Sequence, residues 1–380
     1  MRVLMVSDVY FPRINGVSTS IETFRSTLAG EGVEVHVVVP RYGDEPEQPG
    51  VARVPSRPVP RDPEDRIVAW RAMHSTVRAQ AAKCDLVHIQ TPFAAHYAGL
   101  GAARREGVPV LATYHTLFEE YLHHYAPFLP ACGLRALARL LSRRQCNALD
   151  GVVVPSLAMQ SRLNDYGVRR PIHVLPTGIP LARFAGGDRA RFRAGHGIAP
   201  GRPVALFVGR VAHEKNIGFL LEMTAQALKR RPDLLLLIAG EGPALPALRA
   251  QAAQLGLGES VRFTGYLDRH RDLPDCYAAA DVFAFASRTE TQGLVLLEAM
   301  ATGLPVVALA RMGTVDILAP RQGCRVPADD PAAFAEAVVE VLSDLTLRER
   351  LGSEARAYAR SWSDEAMAQR LAGLYHDYLR

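Results

Sequence analysis

Short apolar runs alternate along the chain with longer stretches in which apolar residues recur at helical spacing, the pattern of parallel strands joined by crossover helices. The pattern occurs twice. In the first half the predicted strands are Arg2–Ser7, Glu34–Val39, Leu86–Ile89, Val110–Tyr114 and Gly151–Pro155; in the second they are Val204–Gly209, Leu234–Gly240, Val261–Gly265, Val282–Ser287 and Pro305–Leu309. Runs such as Leu234-Leu235-Leu236-Leu237-Ile238 do not alternate, so helices are expected on both faces of each sheet. The expected fold class is α/β, with two Rossmann-like domains facing a cleft and ligand at the carboxyl ends of the strands.

Between the halves, Pro176-Thr177-Gly178-Ile179-Pro180, Ala185-Gly186-Gly187 and the stretch from Gly195 to Gly201 are rich in breakers. The expected organisation is a first domain over 1–180, a hinge or linker over 181–200, a second domain over 201–362, and a helix over 363–380 that crosses back to the first domain. That last helix carries Met367, Leu371, Leu374 and Tyr378 at helical spacing. Residues 53–61, with Pro55, Pro58 and Pro60, are expected as an irregular loop, since proline is excluded from helix interiors and central strands.

At 380 residues, 48% apolar and 22% charged, the chain buries a sizeable core, which excludes disorder and fibres. No apolar run approaches the ~18 residues of a membrane span, and the run Val3–Val6 ends at Ser7 and Asp8 before it could serve as a signal peptide, so the expected location is cytoplasmic. Five scattered cysteines without a C-x-x-C pair argue against a disulfide framework or a zinc site. The net charge of +5 is uneven: residues 1–180 hold 20 Lys+Arg against 16 Asp+Glu, residues 181–380 hold 24 against 23. A basic first half suits phosphorylated ligands, an anionic membrane surface or nucleic acid, and equally an arginine-rich composition.

Three loops carry candidate chemistry. After the first strand, Asp8 to Val17 lacks a G-x-G-x-x-G turn, which lowers the odds of a dinucleotide enzyme; Gly16, just ahead of a helical pattern starting near Ser18, is a turn glycine or a place where backbone approaches an anion. In the second half, Gly209-Arg210 leads to Lys215 ahead of another helix. A guanidinium and an ammonium five positions apart on a βα loop converge on a diphosphate or form a solvated charged loop; Lys215 is one of three lysines against 41 arginines. The third loop follows Val282–Ser287 and holds Glu290, then Gln292, Gly293 and Leu294 at a helix start, then Glu298 one turn inside the helix. Two carboxylates on one cleft suit vicinal hydroxyls, and free N–H groups at 292–294 suit phosphates.

The stretch Glu290 to Glu298 resembles the E-x7-E signature of retaining glycosyltransferases of the two-domain GT-B fold. The similarity extends over essentially the whole chain through Asn15-Gly16-Val17, Pro176-Thr177-Gly178-Ile179, Gly209-Arg210 to Lys215, Gly240-Glu241-Gly242-Pro243 and Phe263-Thr264-Gly265-Tyr266. Pro180 departs from the acidic residue that often follows such a hinge. The resemblance implies a nucleotide-sugar donor in the second domain and an acceptor in the first. Arg210 and Lys215 are then on the diphosphate, Glu298 on the ribose and Glu290 on the transferred sugar. Tyr266, Gln292, Gly293 and Leu294 join the donor site, and Gly16 closes on the phosphates. His115, in Thr113-Tyr114-His115-Thr116, matches the cleft histidine that supports the donor sugar. No D-x-D triad occurs, so no metal or cofactor is expected, and the implied mechanism is front-face displacement with the leaving diphosphate deprotonating the acceptor.

His88-Ile89-Gln90-Thr91-Pro92, Glu119-Glu120-Tyr121 and Thr289 to Gly293 resemble the branch holding bacterial diacylglycerol glucosyltransferases and plant sulfolipid synthases. The expected reaction is hexose transfer, from UDP-glucose, to diacylglycerol or a related lipid. A saccharide or soluble acceptor, and a catalytically silent sugar-nucleotide sensor, are the alternatives. Independently, Arg135, Arg139 and Arg143 lie at i, i+4, i+8 beside Leu134, Leu137 and Leu141, a basic amphipathic stretch suited to an anionic membrane surface on the inner face of the cell membrane, or to solvent. Basic residues lack interleaved aromatics, so nucleic acid is not an expected partner.

Overall fold

A computed structural model describes residues 1–59, 62–115 and 131–380. The chain forms two compact units, Met1–Gly178 with Asp364–Arg380, and Ile179–Ser363.

The first unit holds a seven-stranded sheet in which every pairing is parallel, in the order β3-β2-β1-β6-β7-β8-β9. Its strands are β1 (Arg2–Val6), β2 (Glu34–Pro40), β3 (Val51–Val54), β6 (Leu86–Ile89), β7 (Val110–Thr113), β8 (Gly151–Val154) and β9 (Ile172–Val174). Val3, Leu4, Val6, Leu86, Val87 and Leu111 are fully buried, as expected of strands covered on both faces. The helix Asp364–Leu379 belongs to this unit: Met367, Leu371 and Tyr375 enter its core, and the Tyr375 hydroxyl bonds His88 Nδ1 at 2.6 Å.

The stretch over 53–61 is not an irregular loop in its described part. Val51–Val54 is the sheet's edge strand, and β4 (Ser56–Val59) pairs antiparallel with β5 (Asp62–Val68) in a separate ribbon. A two-stranded ribbon tolerates the missing proline N–H, which is why Pro58 does not prevent strand pairing. The helix expected near Ser18 begins at Gly16, where Asn15 and Ser18 cap each other's backbone N–H groups.

The second unit holds a parallel six-stranded sheet in the order β12-β11-β10-β13-β14-β15, made of β10 (Val204–Val208), β11 (Leu235–Ala239), β12 (Val261–Gly265), β13 (Val282–Phe285), β14 (Val306–Ala308) and β15 (Cys324–Arg325). Residues 181–200, expected as a linker, are part of this unit. They form the short helices Leu181–Phe184 and Arg189–Gly195, whose Phe184 and Phe192 are buried in its core. Arg189 and Arg193 anchor them on Asp281 at 2.8 and 3.0 Å. Breakers there shorten helices without exposing them, because paired arginines hold the turns down. The two chain crossings lie at 178/179 and 363/364, and within the second unit Ile179 N–H donates to Trp362 O at 2.9 Å.

Candidate functional site

In the second sheet β10 is flanked by β11 on one side and β13 on the other. The chain runs outward from β10 to β12 and returns to β13, so the loops after β10 and β13 diverge, the place where open α/β sheets bind ligands. Those loops carry Arg210 and Lys215 on one side, Glu290 on the other. Lys215 Nζ meets Glu290 Oε1 at 2.5 Å, and both side chains are mostly buried. Asn216, in a left-handed conformation, ties the same loops together by donating from Nδ2 to Ala286 O at 3.1 Å. Arg210 is exposed.

The β13 loop is pinned from its far side. Gly313 N–H donates to Glu290 O at 2.8 Å, while Arg288 and Arg311 bind opposite oxygens of Asp329 at 2.8 and 3.0 Å and hold its carboxyl below the usual range. Gly293 has φ of 99° and opens Leu294–Ala301 without a side-chain cap. Gln292 is buried beneath it, Leu294 half-buried. The loops after β10 and β11 are knitted at backbone distance: a Cβ on Gly240 would lie 2.0 Å from Gly209 O. Tyr266, past the end of β12, leaves its ring largely exposed.

Glu298 is placed differently from Glu290. It is buried, accepting from Arg269 at 3.1 Å on Oε1 and from the Tyr277 hydroxyl at 2.8 Å on Oε2. Burial and the neighbouring Glu298 raise the Tyr277 hydroxyl well above its ordinary pKa, so it stays a donor. A carboxylate takes about four bonds, which leaves Glu298 acceptor capacity for hydroxyls. The sequence reading missed both partners. Arg269 lies in Asp268-Arg269-His270-Arg271, a run that looks solvated, and Tyr277 in an apolar helix; neither has a local signature.

In the first sheet the corresponding switch lies between β1 and β6. Asp8, after β1, accepts from Thr91 Oγ1 at 2.7 Å and Ala95 N at 3.1 Å, while burial raises its pKa. Gly16 opens its helix beyond that loop. A Cβ there would meet nothing within 4 Å and its φ is not positive, so neither backbone nor packing demands glycine. His115, after β7, bonds Gln90 Oε1 through Nε2 at 2.9 Å, and burial lowers its pKa to about 4, so the ring is neutral at pH 7. Gln90 Nε2 is buried with no partner. With Nε2–H of His115 given to Gln90, Nδ1 is left as an acceptor on the other side of the ring, and Gln90 Nε2 is a spare donor beside the Nε2 edge. Thr116, Glu119, Glu120 and Tyr121 lie outside the described residues.

Arg135, Arg139 and Arg143 lie on the helix Ala131–Asn147 and are exposed. They line a hollow with Asp165 and Tyr166, and the Arg139 guanidinium lies 5.7 Å from the Tyr166 ring centre. Leu137 and Leu141 are exposed on another face of this helix. Each is two residues from an arginine, about 200° around the helix, and buried Ala138 and Ser142 separate the two stripes. Among the described residues no cluster of three or more His, Cys, Asp or Glu forms a metal site, and no helix is long and apolar enough to cross a membrane.

Residues 188–358 match the family model described as glycosyl transferases group 1, and residues 14–183 that of glycosyltransferase family 4. The chain is 35% identical over 320 residues to an alpha-monoglucosyldiacylglycerol synthase of Streptococcus pneumoniae, covering 81% of this chain and 71% of the relative. It is 31% identical over 386 residues to a GDP-mannose-dependent alpha-mannosyltransferase of Mycobacterium tuberculosis, covering 95% and 93%. Among solved structures, HepE of Anabaena in complex with UDP and glucose superposes with a TM-score of 0.79 at 20% identity, covering 99% of this chain and 100% of that one.

Proposed function

Because the chain belongs to the group 1 glycosyltransferases of GT-B architecture, we propose that it transfers a hexose from a nucleotide sugar, UDP-glucose in the first instance, to a lipid hydroxyl such as that of diacylglycerol, with retention of anomeric configuration. The observation that carries the donor reading is the Lys215–Glu290 pair across the switch point, with Arg210 exposed on the same loop as Lys215. A diphosphate supplies Lys215 with a doubly charged partner and releases Glu290 toward the transferred sugar. Arg210 adds a planar fork and the helix start at Gly293 adds N–H groups, so the leaving group is neutralised by the protein's own cations. Glu298, braced by Tyr277 and Arg269, accepts from the ribose diol.

Transfer proceeds on the front face. The bond from the anomeric carbon to the diphosphate oxygen breaks, the acceptor oxygen bonds to the same face, and its proton passes to the departing diphosphate. Neutral His115, oriented by Gln90, accepts a hydroxyl through Nδ1 and supports the charge that develops on the sugar. The lipid acceptor is supported by the likeness to the monoglucosyldiacylglycerol synthase, and an anionic membrane surface by the exposed Arg135, Arg139 and Arg143.

The likeness to a GDP-mannose-dependent enzyme over nearly the whole chain favours a second reading, with the same transfer chemistry on another base and hexose. UDP-glucose, UDP-galactose and GDP-mannose assayed against dispersed diacylglycerol and a soluble saccharide decide donor and acceptor together. Donor binding without turnover on any acceptor would make the chain a sensor instead of an enzyme.

A further inference from the structure

His88, a buried titratable group that the transfer chemistry above does not use, sits in the apolar core of the first unit. It lies on β6 two residues after Leu86, on the face against which Met367, Leu371 and Tyr375 of the helix Asp364–Leu379 pack. Both of its ring nitrogens are bonded. Nδ1 meets the Tyr375 hydroxyl at 2.6 Å, and Nε2 meets Thr113 Oγ1, at the end of β7, at 2.8 Å. One rung further along the same two strands, Gln90 bonds His115. His88 and Gln90 are two residues apart, as are Thr113 and His115, so both rungs stand on one face of the sheet.

Counting protons fixes the direction of the hydrogen bonds in the inner rung. Burial lowers the His88 pKa to about 3 and raises that of the Tyr375 hydroxyl well above its ordinary value, so the ring is neutral with a single N–H and the phenol keeps its proton. Tyr375 is fully buried, and among the described residues its hydroxyl bonds His88 alone. Were the ring proton on Nδ1, two protons would meet in this contact and the phenol would lose its acceptor inside the core, an arrangement that buried polar groups avoid. Tyr375 therefore donates to Nδ1, the ring proton sits on Nε2, and Nε2–H donates to Thr113 Oγ1. The proton of the Thr113 hydroxyl is left over. Among the described residues Oγ1 bonds only His88, and Thr113, like His115, is half-buried instead of sealed in the core.

We infer that Thr113 is a substrate-binding residue whose hydroxyl donates to a sugar or alcohol oxygen at the end of β7, and that Tyr375 and His88 are positioning residues that hold it in the donor sense. The inference rests on the transfer reading above. His115 offers an acceptor at Nδ1 and Thr113 a donor, so the end of one strand presents both polarities to hydroxyl-bearing ligands. Without Tyr375 the imidazole is free to take the other tautomer, in which Nε2 accepts the Thr113 proton and the threonine can only accept.

The test reads the full chain labelled with nitrogen-15 histidine, the His88 signals being assigned by their absence in His88→Gln. His88 should show a bare Nδ1 and a protonated Nε2. Tyr375→Phe should mix the two tautomers, whereas Tyr378→Phe, which removes the 2.9 Å bond from the same helix to His173 on β9, should leave the His88 pattern intact. The His88 Nε2 proton should shift on addition of UDP-glucose alone if the hexose supplies the oxygen, or of detergent-dispersed diacylglycerol alone if the acceptor does, and neither shift should survive Thr113→Val. In turnover, Thr113→Val should lose ~5–10-fold, about one neutral hydrogen bond, at unchanged UDP affinity, and Thr113→Ser should recover most of that loss. Tyr375→Phe should also slow turnover, with no further loss in the Thr113→Val background. A protonated Nδ1 in wild type, a His88 proton that answers neither ligand, full turnover by Thr113→Val or additive losses in the double variant overturns the inference. A wild type with the stated tautomer and ligand response that transfers no hexose overturns the transfer reading instead.

Discussion

Lys215 Nζ lies 2.5 Å from Glu290 Oε1, across the point where the second sheet reverses its strand order. The cation proposed for the donor diphosphate is already neutralised by the carboxylate proposed for the sugar. Donor binding therefore exchanges one partner of Lys215 for another. Lys215→Ala and Arg210→Ala should each weaken UDP-sugar binding by ~1.5–3 kcal/mol. Glu290→Gln should strengthen binding of UDP alone by ~1 kcal/mol, because the ammonium no longer leaves a carboxylate, while turnover collapses. Calorimetry with UDP reads both signs, and unchanged affinity in both cation variants would remove the site. Turnover should also survive EDTA; its loss and recovery with Mg²⁺ would show that these cations are insufficient.

The buried Glu298 network predicts a stability cost that Glu290 does not share. Glu298→Ala strands Arg269 and the Tyr277 hydroxyl and should destabilise by ~3–5 kcal/mol, whereas Tyr277→Phe should cost ~1 kcal/mol. Glu298→Gln keeps the shape and separates folding from binding. It should weaken UDP while leaving 2′,3′-dideoxy-UDP unchanged. Equal losses on both nucleotides would detach Glu298 from the ribose.

Gln90 is expected to orient His115, whose Nδ1 accepts the substrate hydroxyl. His115→Ala and Gln90→Leu should bind UDP normally and lose turnover by ~10²-fold or more, within the range for a positioned polar group. Gln90→Glu keeps an acceptor for His115 and removes the spare N–H. Activity in Gln90→Glu alone would make Gln90 a support for the ring without substrate contact.

Gly16→Ala should leave the melting temperature unchanged or raise it, since alanine favours a helical first turn by ~0.5–1 kcal/mol and its Cβ meets nothing in the fold. If the backbone at Gly16 approaches the donor phosphates, the same variant should raise the donor KM. Unaltered kinetics would return Gly16 to a turn glycine.

Acid should weaken the first unit through its buried imidazoles. Burial lowers the pKa of His88 to about 3 and of His96 and His115 to about 4. Between the ordinary histidine value of ~6.5 and these values the unfolded chain binds protons that the folded one refuses, so stability falls as pH falls, by up to ~1.4 kcal/mol per pH unit for His88. Asp8 and Asp364 oppose this. Burial raises both carboxyls, Asp364 to about 6, so there the folded state takes protons first. Comparing wild type with His88→Gln cancels the carboxylates: the urea midpoint of the variant should fall less from pH 6.5 to pH 4. Parallel curves would mean an unshifted His88.

The order of strands and helices, the doubling of the α/β pattern and the loops that bear Arg210, Lys215 and Glu290 were legible in the primary structure. Hydrophobic runs and glycine positions are local properties, and a βα loop needs no distant partner to be recognised. The strands β3, β4, β5, β9 and β15 were not legible. β3, β9 and β15 are short and lie at sheet edges, while β4 and β5 form a proline-bearing ribbon outside the sheets. The breakers of 181–200 likewise suggested a linker, and only distant partners such as Asp275 and Asp281 show why the segment packs. The same limit governed the site. Glycine and glutamate spacing located Glu298, but Arg269 and Tyr277 reach it from another loop and helix. Gln90 faces His115 because β6 and β7 are neighbours. Partnerships across the sequence are set by burial and strand order, and those exist only once the chain has folded.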